Sequence, residues 1–275
     1  MSGKPNIEAL VGNLCDSSCF SDELYSRYGV KRGLRNPDGT GVPAGITRVS
    51  NVHGYLIDEY EKLPCRGELY YRGINVRDII EATNAENRFG YEEPSGLLLL
   101  GSLPTRSDLE YYQTVIDSLR ELPPSFTEDM IMRAPSPDIM NKLARSVLAL
   151  YSYDDNPDDT SVENVMRQSF MLISRMPGIM TAAYQVKKRY YDNGDFILHT
   201  PIPGQSAAEN ILSLLRADRK YTWEEARLLD RCLILHAEHG GGNNSPFACR
   251  TITSSGSDTY SAIAAAIPGK VLLLT

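Results

Sequence analysis

The chain has 275 residues, is 42% hydrophobic and 23% charged, and carries a net charge of −7. That length and balance suit one large or two small globular domains with a substantial core. The 28 lysines and arginines are dispersed, which argues against the clustered basic face of a nucleic-acid binder, while a few local Arg and His residues still allow an anionic substrate.

The start, Met1-Ser-Gly-Lys-Pro-Asn, lacks the apolar core of a signal peptide. The longest apolar runs, 97–100 and 271–274, are too short to span a bilayer. The cysteines (Cys15, Cys19, Cys65, Cys232, Cys249) are odd in number and irregular in spacing, as free thiols of a reducing compartment would be. The expectation is a cytoplasmic protein that engages no membrane.

Arg35-Asn-Pro-Asp-Gly-Thr-Gly-Val-Pro is turn-rich and reads as a loop. Residues 46–69 hold short β-branched and aromatic stretches, and they predict a small antiparallel sheet. From Val76 onward the pattern is helical, so the fold class is mainly α-helical with a small N-terminal β element.

Thr105 is placed to cap one helix. Thr160 and Glu163 have capping-box spacing ahead of an apolar face of Val162, Val165, Met166, Phe170 and Ile173, and Pro177 predicts a stop or kink before a further helix to about Tyr190. Thr222 and Glu225 form a second box, opening a helix with Leu229, Leu233 and Leu235 that reaches His239 and ends at the triple glycine. Ser245-Pro246 predicts the next helix start, and Ser257 or Asp258 the last, with Tyr260, Ile263, Ala264 and Ile267 on one face. Asp154-Asp-Asn-Pro-Asp-Asp is an acidic connection expected to face water. There is no internal repeat and no low-complexity tract.

Chemistry concentrates in Leu235-His-Ala-Glu-His-Gly-Gly-Gly-Asn-Asn-Ser-Pro. His236 and His239 are three apart and share a helical face; glycines follow, then a helix N-terminus with amide donors. A histidine, a close-approach glycine loop and a helix start suit a small carboxylate. The competing reading is a pair of helix-end histidines favoured by the macrodipole. Zinc lacks the His-Glu-x-x-His order and a third nearby ligand, and a phosphate loop lacks the Gly-Lys-Ser/Thr ending. His53 and His199 have no carboxylate or nucleophile at a telling spacing and read as structural or surface residues. The tyrosine pairs 70–71 and 111–112 read as packing groups.

These residues bear a family resemblance. Leu235-His-Ala-Glu-His-Gly-Gly-Gly-Asn-Asn-Ser resembles the oxaloacetate-binding motif of citrate synthases. Gly67-Glu-Leu-Tyr-Tyr-Arg-Gly-Ile, Phe89-Gly-Tyr-Glu-Glu, Leu97-Leu-Leu-Leu-Gly-Ser-Leu-Pro-Thr, Ala207-Ala-Glu-Asn-Ile-Leu and Ser254-Ser-Gly-Ser-Asp-Thr-Tyr-Ser-Ala-Ile-Ala-Ala-Ala-Ile are similar to further family segments, in the family's order.

The resemblance implies a helical enzyme with a large and a small domain, a homodimer condensing acetyl-CoA with oxaloacetate to citrate and CoA. It implies acetyl-CoA as a substrate and no cofactor or metal. It implies that His239 binds the oxaloacetate carbonyl region, that Asn243 shapes the same site, and that His236 is its companion. The family's aspartate base, enol-stabilising histidine and substrate arginines match no residue here. After Ile267 the family's Gly-Pro-x-His-Gly-Gly gives way to Pro268-Gly-Lys-Val-Leu-Leu-Leu-Thr275.

The expectation is therefore an incomplete large domain over 1–267 and an aberrant tail over 268–275, with no catalytic residue present, a chain inactive alone, and apolar helix faces left exposed. Two alternatives stand beside it: a non-catalytic oxaloacetate-binding or dimerising chain, and a 2-methylcitrate synthase using propionyl-CoA.

Overall fold

The structure is a computed structural model and describes residues 22–29, 31, 36, 42, 45–58, 61–238 and 243–269. Most of the 35–43 loop, Cys15 and Cys19, and His239 with its three glycines lie outside the described residues. The chain divides into two units, residues 1–45 and 46–275. In the first, helix α1 (Asp22–Arg27) ends where Gly29 takes a left-handed φ of 62°.

The second unit begins with the expected sheet. Strands β1 (Ser50–Asp58), β2 (Glu61–Tyr71) and β3 (Ile74–Asn75) pair antiparallel in that order. The β1–β2 register runs from Ser50 opposite Tyr71 to Asp58 opposite Glu61, with an irregularity between His53 and Tyr55. Arg72 and Gly73, at φ 48° and 86°, turn β2 into β3, since a two-residue hairpin that follows strand twist needs positive φ at both positions. Only the Ser50–Tyr71 end of this ribbon is buried; Val52, Tyr55, Leu56 and Leu63 face outward.

Helices follow as expected: α2 (Val76–Ala85), α3 (Glu92–Leu100), α4 (Arg106–Ser118), α5 (Ile139–Ala149), α6 (Val162–Tyr191), α7 (Ala207–Leu215), α8 (Trp223–His236), α9 (Asn244–Ser254) and α10 (Thr259–Ala266). A single π-helical turn (Thr127–Met132) precedes α5, and a 3₁₀ turn (Leu150–Tyr153) follows it. Among the described residues no helix is long and apolar enough to cross a membrane.

The main core lies where α5, α6, α10 and the π turn meet, around Phe126, Val147, Leu150, Ile179, Val186 and Tyr260. Here Tyr260 and Ala264 of α10 are buried with Ile263 and Ile267 packed beside them, as the spacing predicts. A smaller core joins Tyr71 of β2, Val76 and Ile79 of α2, Leu97 of α3 and Ile234 of α8.

Several local expectations hold. Thr105 caps α4 with a reciprocal bond from Asp108, Thr222 and Glu225 close the box on α8, and Asp258 caps α10. Others are corrected. The cap of α6 is Ser161, one residue after Thr160, and its hydroxyl accepts from the Asn164 N–H at 3.3 Å. Asn164 itself donates to the Asn156 and Asp159 carbonyls, so the incoming loop is tied off one residue late. The first buried turns of α6 accordingly present Asn164 and Gln168, while Val162 is exposed.

Pro177 neither stops nor splits α6, which runs unbroken for 30 residues, about 45 Å. An interior proline costs roughly 3 kcal/mol by losing its N–H and crowding the preceding turn. Burial of Met171, Leu172, Ile179, Ala182, Ala183 and Val186 on the same helix outweighs that, at about 1.5–3 kcal/mol for each large side chain.

Asp154 does not face water: its side chain is 1% exposed, 2.6 Å from an Arg167 guanidinium nitrogen, and it accepts from Tyr260 and Gln168. The buried stripe of α8 is Ala226, Asp230 and Ile234, and Leu235 is 50% exposed. The helix stops at His236 instead of running on to His239. Cys65, Cys232 and Cys249 are free thiols.

Candidate functional site

The chemistry-bearing segment joins the C-terminal end of α8 to the start of α9. His236 is the last residue of α8 and is exposed. Ala237 and Glu238 follow, and Asn243 reappears as the buried N-cap of α9, its side-chain oxygen accepting from the Ser245 N–H at 3.0 Å. The cap therefore sits two residues earlier than Ser245, because an Asn side chain reaches the second amide ahead directly and leaves Pro246 inside the first turn. His236 and Asn243 thus flank the 239–242 segment, one at a helix C-terminus and one at a helix N-terminus, where first-turn amides point outward.

The α8 end is held by the buried corner of the sheet. The Tyr71 hydroxyl lies 2.7 Å from the Ile234 carbonyl oxygen and 3.1 Å from that of Glu238, and it accepts from the Glu238 N–H at 3.3 Å. Ser50, directly opposite Tyr71 across the strands, donates to Glu238 Oε1 at 3.0 Å. One cross-strand pair thereby grips both the backbone and the side chain of the residue preceding His239. Burial pushes the Tyr71 phenol above its ordinary pKa, partly offset by the Glu238 N–H, and the nearby Glu238 charge adds to the rise, so the hydroxyl stays a donor.

A second fastening lies midway along α8. The buried Asp230 carboxylate accepts from the Gly90 N–H at 2.9 Å and the Tyr91 N–H at 3.0 Å. Burial raises its pKa, and those two amides counter that. Gly90 is required there, since a Cβ would come within 2.4 Å of Thr83 Cγ2. Arg227 and Arg231 add bonds to Asn84 Oδ1 at 2.8 and 2.6 Å.

The chain also returns to the start of α9. A Cβ at Gly269 would come within 3.3 Å of the Ser245 backbone and hydroxyl, so residues just after α10 lie against the α9 N-terminus.

The sequence reading missed Tyr71, Ser50, Glu238 and Asp230. Asp230 carried a signal, a carboxylate at i+4 from Ala226 and i−4 from Ile234 on a buried stripe; Ser50 carried none. His53 is exposed beside Asn51, and His199 bonds the Arg216 and Ala217 carbonyls, in keeping with structural roles. Among the described residues no three His, Cys, Asp or Glu side chains are grouped to hold a metal ion.

A helical protein whose glycine-bounded histidine segment is braced by a Tyr-Arg-Gly hairpin defines a class, and the comparisons give its name. Residues 36–270 match the model of the citrate synthase C-terminal domain, and the chain belongs to the citrate synthase family. It is 29% identical over 232 residues to the citrate/2-methylcitrate synthase of Bacillus subtilis, covering 84% of this chain and 56% of that protein. It is 28% identical to 2-methylcitrate synthase 1 of Corynebacterium glutamicum, covering 86% of this chain and 56% of that protein.

Among solved structures, citrate synthase from Pyrobaculum aerophilum superposes with a TM-score of 0.69 at 27% identity, over 86% of this chain and 56% of that one. Citrate synthase from Thermoplasma acidophilum, solved with carboxymethyl coenzyme A and oxaloacetate, superposes with a TM-score of 0.69 at 26% identity, over 83% of this chain and 54% of that one. The chain thus spans about half the length of the relatives it matches.

Proposed function

We propose that residues 236–243 bind oxaloacetate and that the chain serves the citrate synthase reaction, in which acetyl-CoA and oxaloacetate give citrate and CoA. His239 would donate to the oxaloacetate carbonyl region, with His236 beside it, and Asn243 would shape the floor at the α9 N-terminus. The observation that carries this reading is the bracing of the segment on both sides: Tyr71 and Ser50 fix Glu238, and Asn243 is buried as a cap. A site needs that rigidity, because a bound carboxylate gains little from donors that must first be ordered. Chemically, the helix N-terminus and an imidazole supply donors to an anion. No described residue is assigned as the base that removes the acetyl proton or as the donor to the enol.

Titration of the full 275-residue chain with oxaloacetate, followed by thermal melting, tests the reading. A ligand at about 100 times its Kd stabilises by about 2.7 kcal/mol. The expected result is a saturable rise in Tm that His239→Ala removes; no rise at saturating oxaloacetate would refute it. Release of CoA thiol on adding acetyl-CoA separates turnover from binding, and oxaloacetate binding without release would favour a non-catalytic binding role. The presence of 2-methylcitrate synthases among the relatives supports a second reading, and faster thiol release from propionyl-CoA than from acetyl-CoA would favour it.

A further inference from the structure

Away from this segment, α3, α4, α6 and α7 line a half-open cavity of about 420 Å³. Its walls are apolar, formed by Leu99, Leu172, Ile173, Met176, Met180 and Ile211 among others. Two acceptor oxygens interrupt them. Glu92 is 5% exposed; its Oε1 accepts from the Ala207 N–H at 2.7 Å, and its Oε2 has no partner among the described residues. Asn210 is 1% exposed, and its Oδ1 likewise has none. Ala207 and Asn210 are three residues apart on α7, so both side chains belong to one wall.

Several polar donors in the same walls are already committed. The Arg120 guanidinium is engaged by the Gln205 carbonyl at 2.5 Å and by Asp117 at 3.0 Å. Ser95 Oγ and Tyr112 OH are paired with each other at 2.7 Å. These bonds leave Glu92 Oε2 and Asn210 Oδ1 without a partner among the described residues. A buried acceptor left unmade costs about 1–3 kcal/mol, so native folds rarely keep two together without a use.

We propose that this cavity binds an amphipathic primary amine. The hydrocarbon or aryl body lies among the α6 side chains, and the ammonium donates to Glu92 Oε2 and Asn210 Oδ1. The volume is within the ordinary range for small-ligand pockets, roughly 300–1,000 Å³. The cation supplies both the missing donors and a countercharge for a buried carboxylate. Desolvation raises the Glu92 pKa, which is the shift such a countercharge would reverse on binding.

Calorimetric titration of the full chain with n-hexylamine, 1-hexanol and hexanoate tests this. The expected result is a saturable hexylamine isotherm, hexanol weaker by about tenfold or more, and no hexanoate binding. In Glu92→Gln the side-chain carbonyl still accepts from Ala207, while the amide N–H₂ fills the acceptor position. Its Tm should stay close to that of the parent, and its hexylamine affinity should fall by about tenfold. Equal affinity for hexylamine and hexanol, or an unchanged Glu92→Gln isotherm, overturns the proposal. Should that variant fold poorly, methyl resonances of Met176 and Met180 in the parent chain decide: shifts that saturate with the amine support the site, and their absence refutes it.

Discussion

Tyr71→Phe isolates the hydroxyl that braces the histidine segment. The ring is fully buried against Val76, Ile79, Leu97 and Ile234, and phenylalanine keeps that packing. What disappears is one oxygen, 2.7 Å from the Ile234 carbonyl, 3.1 Å from the Glu238 carbonyl and 3.3 Å from the Glu238 N–H. No water-sized replacement is built into a site shaped for a phenol, so the partners lose their bonds inside the core. Such a loss costs about 1–3 kcal/mol. For a domain of this length each kcal/mol is worth roughly 2–4 °C of Tm, so a fall of roughly 2–12 °C is expected, about 4–8 °C at the middle of that cost range. Circular-dichroism melting reads the stability, and hydrogen exchange at the Glu238 amide reads the local effect. Oxaloacetate affinity should fall as well, because residue 238 directly precedes His239. A Tm within about 1 °C of the parent, with the Glu238 amide equally protected, would refute the bracing role.

Further perturbations test the same scaffold. Gly90→Ala sets a Cβ 2.4 Å from Thr83 Cγ2 and should cost about 1–3 kcal/mol, measured by urea melting; Thr83→Ala in the same chain should recover most of it, and no recovery would count against the contact. Asn243→Ala should lose about 1 kcal/mol of capping and also weaken oxaloacetate binding, whereas Asn243→Asp should keep the cap and still weaken binding of the dianion. For Asp154, burial alone would raise the pKa, but bonds from Tyr260, Asn156, Gln168 and Arg167 lower it from 3.8 to about 2. The folded value is depressed, so its contribution is full above the unfolded pKa and is lost as pH falls toward 2; acid melting should show that loss, and Asp154→Asn should flatten it.

Much of the fold was legible because its signals are local. The sheet over 46–69, the onset of helix at Val76 and the caps at Thr105, Thr222 and Asp258 each rest on chemistry within a few residues. The corrected points rest on distant partners. Whether Pro177 breaks α6 depends on how much apolar surface flanks it in space. Asp154 lies in an acidic run that reads as solvated, and Arg167, Gln168 and, more than a hundred residues later, Tyr260 draw it inward. The choice between Thr160 and Ser161 is settled by Asn164 reaching back to the Asn156 and Asp159 carbonyls, a loop contact with no spacing rule.

The candidate site shows the same division. The histidine–glycine segment is readable as a string, but its support is spread along the chain, and three of the resembling segments turn out to be parts of one support. Phe89-Gly-Tyr supplies two amides to Asp230, with a glycine where a side chain would strike Thr83. Tyr-Tyr-Arg-Gly supplies the Tyr71 brace, the positive-φ turn and an Arg72 guanidinium that donates to the Leu98 carbonyl at 2.7 Å, closing the end of α3. Leu97 packs against Tyr71 and Ile234. Helix α8 is therefore fixed at its middle and at its end by residues about 140 and 163 positions earlier. A segment that must present donors to a small anion needs its approach fixed in direction as well as in place. Two fastenings on one helix, at Asp230 and about one turn later at Ile234, supply both, and a single one would leave the helix free to swing about it.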